Sequence, residues 1–470
     1  MNKPNAIREY ASRSACLAAA LLLCLSGPLA SGQAPAKEPL RLSLQGARAY
    51  ALERSYEVRS SGLDTEAARQ KLKETVASGL PQITWGIGYT NNMILATSLI
   101  PNFFDGKPEE KIPVQFGTQH NASANIQVQQ LVFNGSYLVG LQTSKIYTGL
   151  ADRGLELSEL NVQEAVTGTY GLILVAAESE KILRSTLANI EKTRTEIAEL
   201  HREGFVAETD VDLIQIATNQ LRSGLQTVEK QKGIALKLLK FQMGMDFEEE
   251  LVLTDTLEDI LASVDVERAL GVPFDPAGSV ELELAGLQEK IAEKAMKNER
   301  ARSWPSVSAF FTYQQSAYRD SFSFFSTGER WFPLSILGVN VSIPLFRSGL
   351  QKARTTQAEL ALEQAREARA QAARGLELEV ERAKVRLSTA WENYRNMKDN
   401  MDLAARVYDV TLEKYREGLA SSMELTQAND KFLGAESDYT AALAELLNAK
   451  NKLDRVTNSF PASDDKGQPS

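Results

Sequence analysis

Apolar and small residues recur in the C-terminal part of the chain at alternating intervals of four and three. One such stripe runs from Leu376 to Tyr415 and a second from Leu425 to Val456. A heptad repeat sustained over this length predicts long helices that supercoil against neighbouring helices. In the second stripe large residues alternate with alanine, which favours close helix packing. The stripes alone are equally compatible with a plain coiled coil.

Four short segments show a different period, of two residues. In each segment apolar residues alternate with small or polar ones, a pattern typical of strands with one apolar face. The apolar positions are Ile83, Trp85, Ile87 and Tyr89; Ala122, Ala124, Ile126 and Val128; Val307, Ala309, Phe311 and Tyr313; and Leu337, Val339, Val341 and Ile343. These segments predict two strand pairs, each connected by a long loop.

The positions of proline separate the two kinds of segment. Prolines cluster around the predicted strands and are absent between Val114 and Val272 and between Leu345 and Phe460. Proline breaks helix interiors, and both proline-free stretches are rich in Ala, Leu, Glu, Lys, Gln and Arg, which favour helix. We therefore predict very long helices in both stretches.

Residues 1–32 have the organisation of a secretory signal. Basic residues precede the apolar stretch Ala15–Ala30, which ends in small residues. Cleavage would remove both cysteines, Cys16 and Cys24, so the exported chain would have neither disulfides nor thiolate metal sites. It would also change the formal charge from −9 to −11, by subtraction of the signal's net +2. This acidic balance argues against nucleic acid as a partner.

The predicted strand pairs are too small to be stable on their own. Two isolated hairpins with an apolar face are marginal in water, whereas oligomerisation would stabilise them and allow a barrel to close. Trp85, Trp304 and Trp331 lie in or beside these segments, as is typical of aromatic residues at membrane interfaces. A small soluble sandwich with core aromatics is the alternative interpretation.

The two halves of the chain share one order of predicted elements: helix, strand, loop, strand, helix, tight turn, helix. The turns match best, because HREGFVAETDVDL begins at His201 and YREGLASSMELTQ at Tyr415, and their glycines lie 214 residues apart by subtraction. Glycine at a helix end supplies the left-handed conformation that lets the chain reverse. The strand-to-helix joints LVFNGS (131–136) and PLFRSG (344–349) also correspond. A duplication of this kind predicts two pseudo-equivalent segments of a ring in each chain.

With these features in this order, the sequence resembles the TolC family of outer-membrane efflux and secretion channels. The resemblance extends from LRLSLQGARAYALERSYEVRSS near the start of the exported chain to NAKNKLDRVTN near its end. It implies a mainly α fold with a small transmembrane β part and two internal repeats. In the implied homotrimer each protomer gives four strands to a shared β-barrel and its long helices to an α-barrel that crosses the periplasm.

The resemblance also implies a domain organisation. After the signal it places a first repeat, an equatorial or linker insertion, a second repeat and a polar tail. The expected bounds are 33–246 for the first repeat with its hairpin at 81–133, 247–278 for the insertion, 279–458 for the second repeat with its hairpin at 305–346, and 459–470 for the tail.

In the family the two glycine turns form the periplasmic tip, where adaptor proteins dock and where the channel closes. The matching docking residues are Gly204, Phe205, Gly418 and Leu419. A glutamate precedes each glycine, which departs from the usual tip pattern and leaves the identity of the adaptor open.

The gate is expected just beside each turn. The positions that link neighbouring helices by hydrogen bonds in relatives match Thr209, Asp210 and Tyr415, and Glu424 falls on an acidic constriction ring. The second acid of that ring is Gln427 here, so the ring would carry half the charge. Glu424 carboxylates around the axis would favour cations and repel anions. A solvated glutamate on a helix surface is the alternative interpretation.

The implied function is a passive exit duct of a tripartite efflux pump or a type I secretion system, in the outer membrane with helices extending into the periplasm. The implied partners are further copies of the chain, a periplasmic adaptor (membrane fusion) protein, an inner-membrane pump of RND or ABC type and outer-membrane lipid. No cofactor is implied. A periplasmic coiled-coil scaffold or chaperone without a pore is the alternative, but it leaves the strands unexplained.

An enzyme is not indicated by the sequence. The two histidines, His120 and His201, have no metal-ligand spacing between them. The sequence also contains no nucleotide-binding glycine motif and no nucleophile elbow. Nothing in the residues identifies the cargo.

Overall fold

The computed structural model describes residues 39–102, 107–262 and 264–460. The predicted signal and residues 461–470 of the predicted tail lie outside these ranges. The elements of the first half are β1 (Leu40–Leu42), α1 (Leu44–Arg54), α2 (Tyr56–Ser78), β2 (Gln82–Asn91), β3 (Thr97–Asn102), β4 (Lys107–Gln115), β5 (His120–Asn134), α3 (Gly135–Arg202) and α4 (Glu208–Gln242). Those that follow are β6 (Leu251–Leu253), α5 (Leu257–Ala262), α6 (Val266–Gly271), a 3-10 turn (Pro276–Gly278), α7 (Val280–Ala301), β7 (Ser306–Arg319), β8 (Phe332–Ser342), α8 (Leu350–Arg416) and α9 (Ser422–Val456).

The predicted long helices are confirmed. α3 and α8 have 68 and 67 residues, and α4 and α9 have 35 residues each. At about 1.5 Å per residue, α3 and α8 are each on the order of 100 Å long. α3 packs against α2 near the strands and against α4 toward the glycine turn, and α8 packs in the same way against α7 and α9. The matched lengths and partners agree with the predicted internal repeat.

The ends of the shorter partner helices follow the same repeat. α4 ends before Gly244, whose φ is +68°, and α9 ends before Asn458, whose φ is +51°. These residues again lie 214 positions apart by subtraction. Asparagine is the residue other than glycine that most often takes this left-handed conformation at a helix end, so the duplicated geometry survives the change of residue.

The core lies between the long helices and is lined by the heptad stripes. Leu387, Leu446 and Ala449 have a relative exposure of 0%. A separate cluster near the glycine turns, here called the tip core, consists of Ile197, Ile214, Met401, Tyr408, Leu412, Tyr415, Leu425, Ala428 and Phe432. Within the described ranges, no helix has both the length and the apolarity needed to cross a membrane.

The four predicted strands form one antiparallel sheet in the order β2-β5-β7-β8. The two predicted pairs are therefore joined to each other, through β5 and β7. Their apolar faces coincide, because Ile83 is opposite Val128, Val128 opposite Phe311, and Phe311 opposite Leu337. Every residue of β2 is exposed, and Leu337 is 80% exposed. Among the described residues no second layer covers this face, so the soluble-sandwich interpretation is wrong.

The predicted long loop between β2 and β5 contains a further hairpin. β3 and β4 pair antiparallel, with Leu99 opposite Pro113 and Pro101 opposite Lys111. Prolines occur in both strands. A two-stranded ribbon accepts them because each strand has an edge that needs no donor.

The segment between the repeats is tied to the beginning of the described chain. β1 pairs in parallel with β6, with Leu40 opposite Leu251. The backbone N–H of Thr254 continues the contact by donating to the carbonyl of Leu42 at 3.0 Å. This small sheet lies beside the middle of α3, far from both the four-stranded sheet and the glycine turns.

Candidate gate at the helical tip

The two glycine turns lie together at the end of the molecule opposite the sheet. α3 and α8 both begin next to the sheet and end at a turn. Arg416, at the end of α8, donates from Nη2 to Thr193 Oγ1 of α3 at 2.9 Å and pairs with Glu196 at 3.3 Å. We call the two turns and the helix ends that flank them the tip (residues 193–218 and 408–432).

Each turn reverses the chain through a glycine in the left-handed conformation. The φ angles are +83° at Gly204 and +76° at Gly418. In both turns the amide after the glycine donates to the carbonyl five residues earlier, at 2.9 Å in the first turn and 2.7 Å in the second, as in a Schellman motif. A Cβ at either glycine would meet nothing within 4 Å, so glycine is required by the backbone conformation and not by space.

The residue after each glycine is apolar and faces solvent. Phe205 and Leu419 occupy equivalent positions, and both are 74% exposed. Met423, in the first turn of α9, is 54% exposed. The far end of the protomer therefore presents apolar side chains at both turns, where the sequence places the docking residues.

Asp210 joins the two turns within one protomer. Its Oδ2 accepts the backbone N–H of Ala207 at 3.2 Å, and its Oδ1 accepts a hydrogen bond from the Ser422 hydroxyl. Ala207 precedes α4 and has no side-chain oxygen of its own, so Asp210 caps this helix start from inside the helix. Thr209, next to it, is exposed. One carboxylate thus fixes the start of α4 to the start of α9.

Tyr415 lies close to Asp210 but does not bond to it. Its ring belongs to the tip core, and among the described residues its buried hydroxyl has no hydrogen-bond partner. Burial, and after it the Asp210 carboxylate, raises the pKa of Tyr415 to about 12. The structure therefore brings together three of the residues predicted for the gate, although the hydrogen bonds of Asp210 go to other groups.

Two further buried polar side chains in or beside the tip core also lack a hydrogen-bond partner among the described residues. Within the described chain the hydroxyl of Tyr408 has no partner, and neither do the two amide atoms of Asn429. Tyr408 is 1% exposed and Asn429 0%. Burial raises the pKa of Tyr408 to about 12. A buried polar group without a partner is costly, so the packing at the tip is less favourable than its burial alone suggests.

Glu424 forms a capping box with Ser421 at the start of α9. Ser421 Oγ accepts the Glu424 N–H at 3.2 Å, and Glu424 Oε2 accepts the Ser421 N–H at 2.7 Å and its hydroxyl at 2.9 Å. These two bonds to Oε2 lower the pKa of Glu424. The carboxylate is exposed, as is Gln427 one turn further on. A charged group is therefore held in a fixed direction beside the second turn.

Sequence reasoning missed three polar residues that link helices here. Arg416 and Ser422 join the two turns as described above. Further up α9, Glu436 is buried and accepts the Ser179 hydroxyl of α3 at 2.5 Å; burial raises the pKa of Glu436. Arg416 carried a signal, because Arg-Glu-Gly occurs in both turns. Glu436 carried none, since an acid in a charged helix is usually solvated.

Neither histidine is part of a site. His201 Nδ1 lies 3.0 Å from the carbonyl of Val206 across the first turn, and His120 Nδ1 lies 2.8 Å from the Tyr89 hydroxyl at the outer end of the sheet. In the part of the chain that the structure describes, no group of three or more His, Cys, Asp or Glu side chains is placed to hold a metal ion.

Known proteins share this architecture. Residues 277–459 match the family model described as outer membrane efflux protein. The Campylobacter jejuni CmeC outer membrane channel is similar in structure, with a TM-score of 0.67 and 16% identity over 88% of this chain and 85% of that one. The outer membrane protein VceC of Vibrio cholerae matches with a TM-score of 0.65 and 13% identity over 88% and 95% of the two chains.

A third similar structure is the open state of the Neisseria gonorrhoeae MtrE outer membrane channel. Its TM-score is 0.63, with 15% identity over 88% of each chain. No curated protein sequence matches this chain. At these identities the likeness to solved structures shows the fold.

Proposed function

We propose that this protein is the outer-membrane exit duct of a tripartite efflux pump or a type I secretion system. Residues 277–459 match the model of the outer membrane efflux protein family, and 88% of the chain has the fold of solved outer-membrane channels. The protein acts as a passive homotrimeric channel. Its partners are a periplasmic adaptor and an inner-membrane pump of RND or ABC type, which engage and open the tip. The protein performs no chemistry on its cargo.

The exposed four-stranded sheet carries this proposal. A closed barrel needs about eight strands or more, and one protomer offers four, with β2 and β8 at the edges. On the apolar face of the sheet, Ile83 is 70% exposed and Leu337 is 80% exposed. Pooling the strands of three copies would close the barrel, pair both edges and turn the apolar face toward lipid.

The helices supply the periplasmic part. α3 and α8, on the order of 100 Å long, carry the tip away from the membrane. In the proposed domain organisation, the repeats at 33–246 and 279–458 each give one long helix and its partners to the α-barrel. The insertion at 247–278, anchored through the β1–β6 pair, lies around the middle of the duct.

The tip is the proposed docking site for the adaptor. Gly204 and Gly418 hold Phe205 and Leu419 outward at equal exposure. In a trimer these side chains would form a ring of alternating first-turn and second-turn contacts. Apolar anchors of this kind are typical of protein interfaces.

The proposed gate is the set of polar links that join the two turns. Asp210 bonds to Ser422, and Arg416 bonds to Thr193 and pairs with Glu196. Breaking these links would free one hairpin of the tip to move relative to the other. Thr209 flanks Asp210, Tyr415 contributes through the packing of its ring, and Glu424 would form the constriction ring.

Planar-bilayer conductance of the purified full-length protein tests the duct and the gate together. We expect a detergent-solubilised trimer with a small resting conductance. Asp210→Ala should increase this conductance, because it removes the link to Ser422. Asp212→Ala is the matched control, since Asp212 is exposed on the same helix and should leave the conductance unchanged.

Two outcomes would contradict the proposal at different levels. A mature protein that is a water-soluble monomer without detergent would exclude the duct. A trimer that conducts equally with and without Asp210→Ala would keep the duct and exclude this gate.

A further inference from the structure

A cavity of about 390 Å³ lies at the middle of the protomer, far from the tip and from the sheet. It is enclosed by α1, α3, α9 and the segment that follows β6. The apolar part of its lining is formed by Leu44, Ile260, Val264 and Leu447. Polar side chains, including Arg48, form the rest. The cavity could therefore hold a small molecule with an apolar body and a polar end.

Arg48 is a mostly buried cation with one hydrogen bond inside the described chain. The residue is 9% exposed. Its Nε donates to Thr167 Oγ1 at 2.7 Å, and the ring of Phe460 covers the guanidinium at 5.1 Å from Cζ to the centroid. Among the described residues neither terminal nitrogen of the guanidinium has a protein acceptor. Burial lowers the pKa of Arg48, with the nearby Asp454 acting in the opposite direction.

The other charged groups of the cavity already have partners inside the protomer. Asp255 accepts a hydrogen bond from the Tyr170 hydroxyl at 3.1 Å, and Asp259 accepts one from the Thr256 hydroxyl at 2.7 Å. Lys450 forms an ion pair with Asp454 at 2.5 Å. Arg48 also lines this cavity, and among the described residues its hydrogen bond is the one from Nε.

A buried guanidinium is stable when its planar fork meets acceptors of matching geometry. A carboxylate fits best, because it takes two parallel N–H bonds from the same fork. The apolar side chains that line the cavity suit a flat or aliphatic body attached to that carboxylate. With a neutral ligand, the opposite charge near Arg48 would be that of Asp454, which already pairs with Lys450.

We propose that this cavity is a binding site for a small amphipathic carboxylate, whose carboxylate is held by the terminal nitrogens of Arg48 and whose apolar body packs against Leu44, Val264 and Leu447. The site lies at the middle of the protomer, away from the proposed gate. A ligand in this site would contact α1, α3 and α9. Because it binds the folded state, it would stabilise that state by mass action.

Fluorine NMR with 4-fluorobenzoate tests the site on the full-length protein in detergent. We expect a line broadening that saturates with ligand concentration and exceeds that in empty micelles. Arg48→Gln should weaken binding more than tenfold, because it removes the charge and the fork. Arg48→Lys should also weaken it, since an ammonium cannot bind in the bidentate way.

The matched control is Arg54→Gln. Arg54 lies on the same helix, where it packs over the ring of Tyr50 and donates to its hydroxyl at 3.2 Å, so this change should leave binding unaltered. Val264→Trp keeps Arg48 but fills the cavity, and it should abolish binding. If Arg48→Gln does not assemble, binding to Val264→Trp tests the proposal in its place.

Three results would overturn the proposal. The first is broadening by the wild-type protein no greater than by empty micelles. The second is equal binding of the neutral 4-fluorobenzamide. The third is retention of 4-fluorobenzoate binding in Val264→Trp or, when it assembles, in Arg48→Gln.

Discussion

Replacing Tyr408 by phenylalanine should make the tip more stable. The side chain is 1% exposed, its ring stacks on Phe432 with centroids 5.4 Å apart, and in the described chain its hydroxyl has no partner. Tyr408→Phe removes the hydroxyl and leaves the stack. A buried polar group without a partner costs about 1–3 kcal/mol, so the substitution should increase the local free energy of opening by up to this amount.

Hydrogen exchange of the amides in residues 405–432 measures this local free energy. An increase of about 1–3 kcal/mol corresponds to roughly 5- to 150-fold slower exchange. The matched control is Thr218→Val, which also changes little in shape. Thr218 is 0% exposed, but its hydroxyl donates to the Ile214 carbonyl at 2.8 Å. Removal of this satisfied bond should cost about 0.5–1.5 kcal/mol and accelerate exchange.

The two substitutions must therefore act in opposite directions. If Tyr408→Phe accelerates exchange as Thr218→Val does, its hydroxyl has a partner in the assembled protein and the reasoning is refuted. If both leave exchange unchanged, the tip opens without exposing this layer. A slower exchange should be accompanied by a resting conductance no higher than that of the wild type.

Three further predictions concern single residues. Glu436→Gln should flatten the pH dependence of the thermal midpoint and raise the midpoint at neutral pH. Burial raises the pKa of Glu436 in the folded state above the ordinary 4.5, so the wild type loses stability as pH rises from 4.5 through the folded pKa. A neutral amide can still accept the hydrogen bond from the Ser179 hydroxyl. Gly418→Ala should destabilise the second turn by about 1–2 kcal/mol. Gly434→Ala is the control: Gly434 lies in the middle of α9 with nothing within 4 Å of an added Cβ, so this change should stabilise the helix by about 0.5–1 kcal/mol. Equal effects of the two changes on amide exchange would contradict the conformational argument. Glu424→Ala should reduce cation selectivity, and an unaltered reversal potential in a salt gradient would remove the constriction-ring hypothesis.

The parts of the fold that were predictable are those in which burial repeats with a fixed period. The stripe from Leu425 to Val456 follows the face of α9 that packs on α8 and α3, and the alternation around Ile83 and Phe311 follows one face of the sheet. Each pattern extends over many residues, so single exceptions do not obscure it. The duplication added the positions of the turns, because glycine is required there by the backbone.

The remaining features have no such period. β1 and β6 are three residues long, too short for an alternation to be recognised. Hydrogen-bond partners at the tip were also beyond reach: the sequence places Asp210, Tyr415 and Ser422 near the two turns. Only the side-chain geometry shows that Asp210 bonds to Ser422 and leaves the Tyr415 hydroxyl alone.

On the proposed function, the distribution of polar contacts also explains why opening would be confined to the tip. In the middle of the protomer Arg455 of α9 bonds to Glu281 at 2.7 Å and to Asn161 at 2.9 Å, and these groups tie α9 to both α7 and α3. Beside the two turns, the polar links between the halves in the described chain are those of Asp210 and Arg416, and the tip core contains buried polar groups without partners. We therefore expect the closed packing to open most easily at the tip, where an adaptor would dock. Binding of an adaptor to Phe205 and Leu419 could then open the proposed gate while the rest of the duct stays packed.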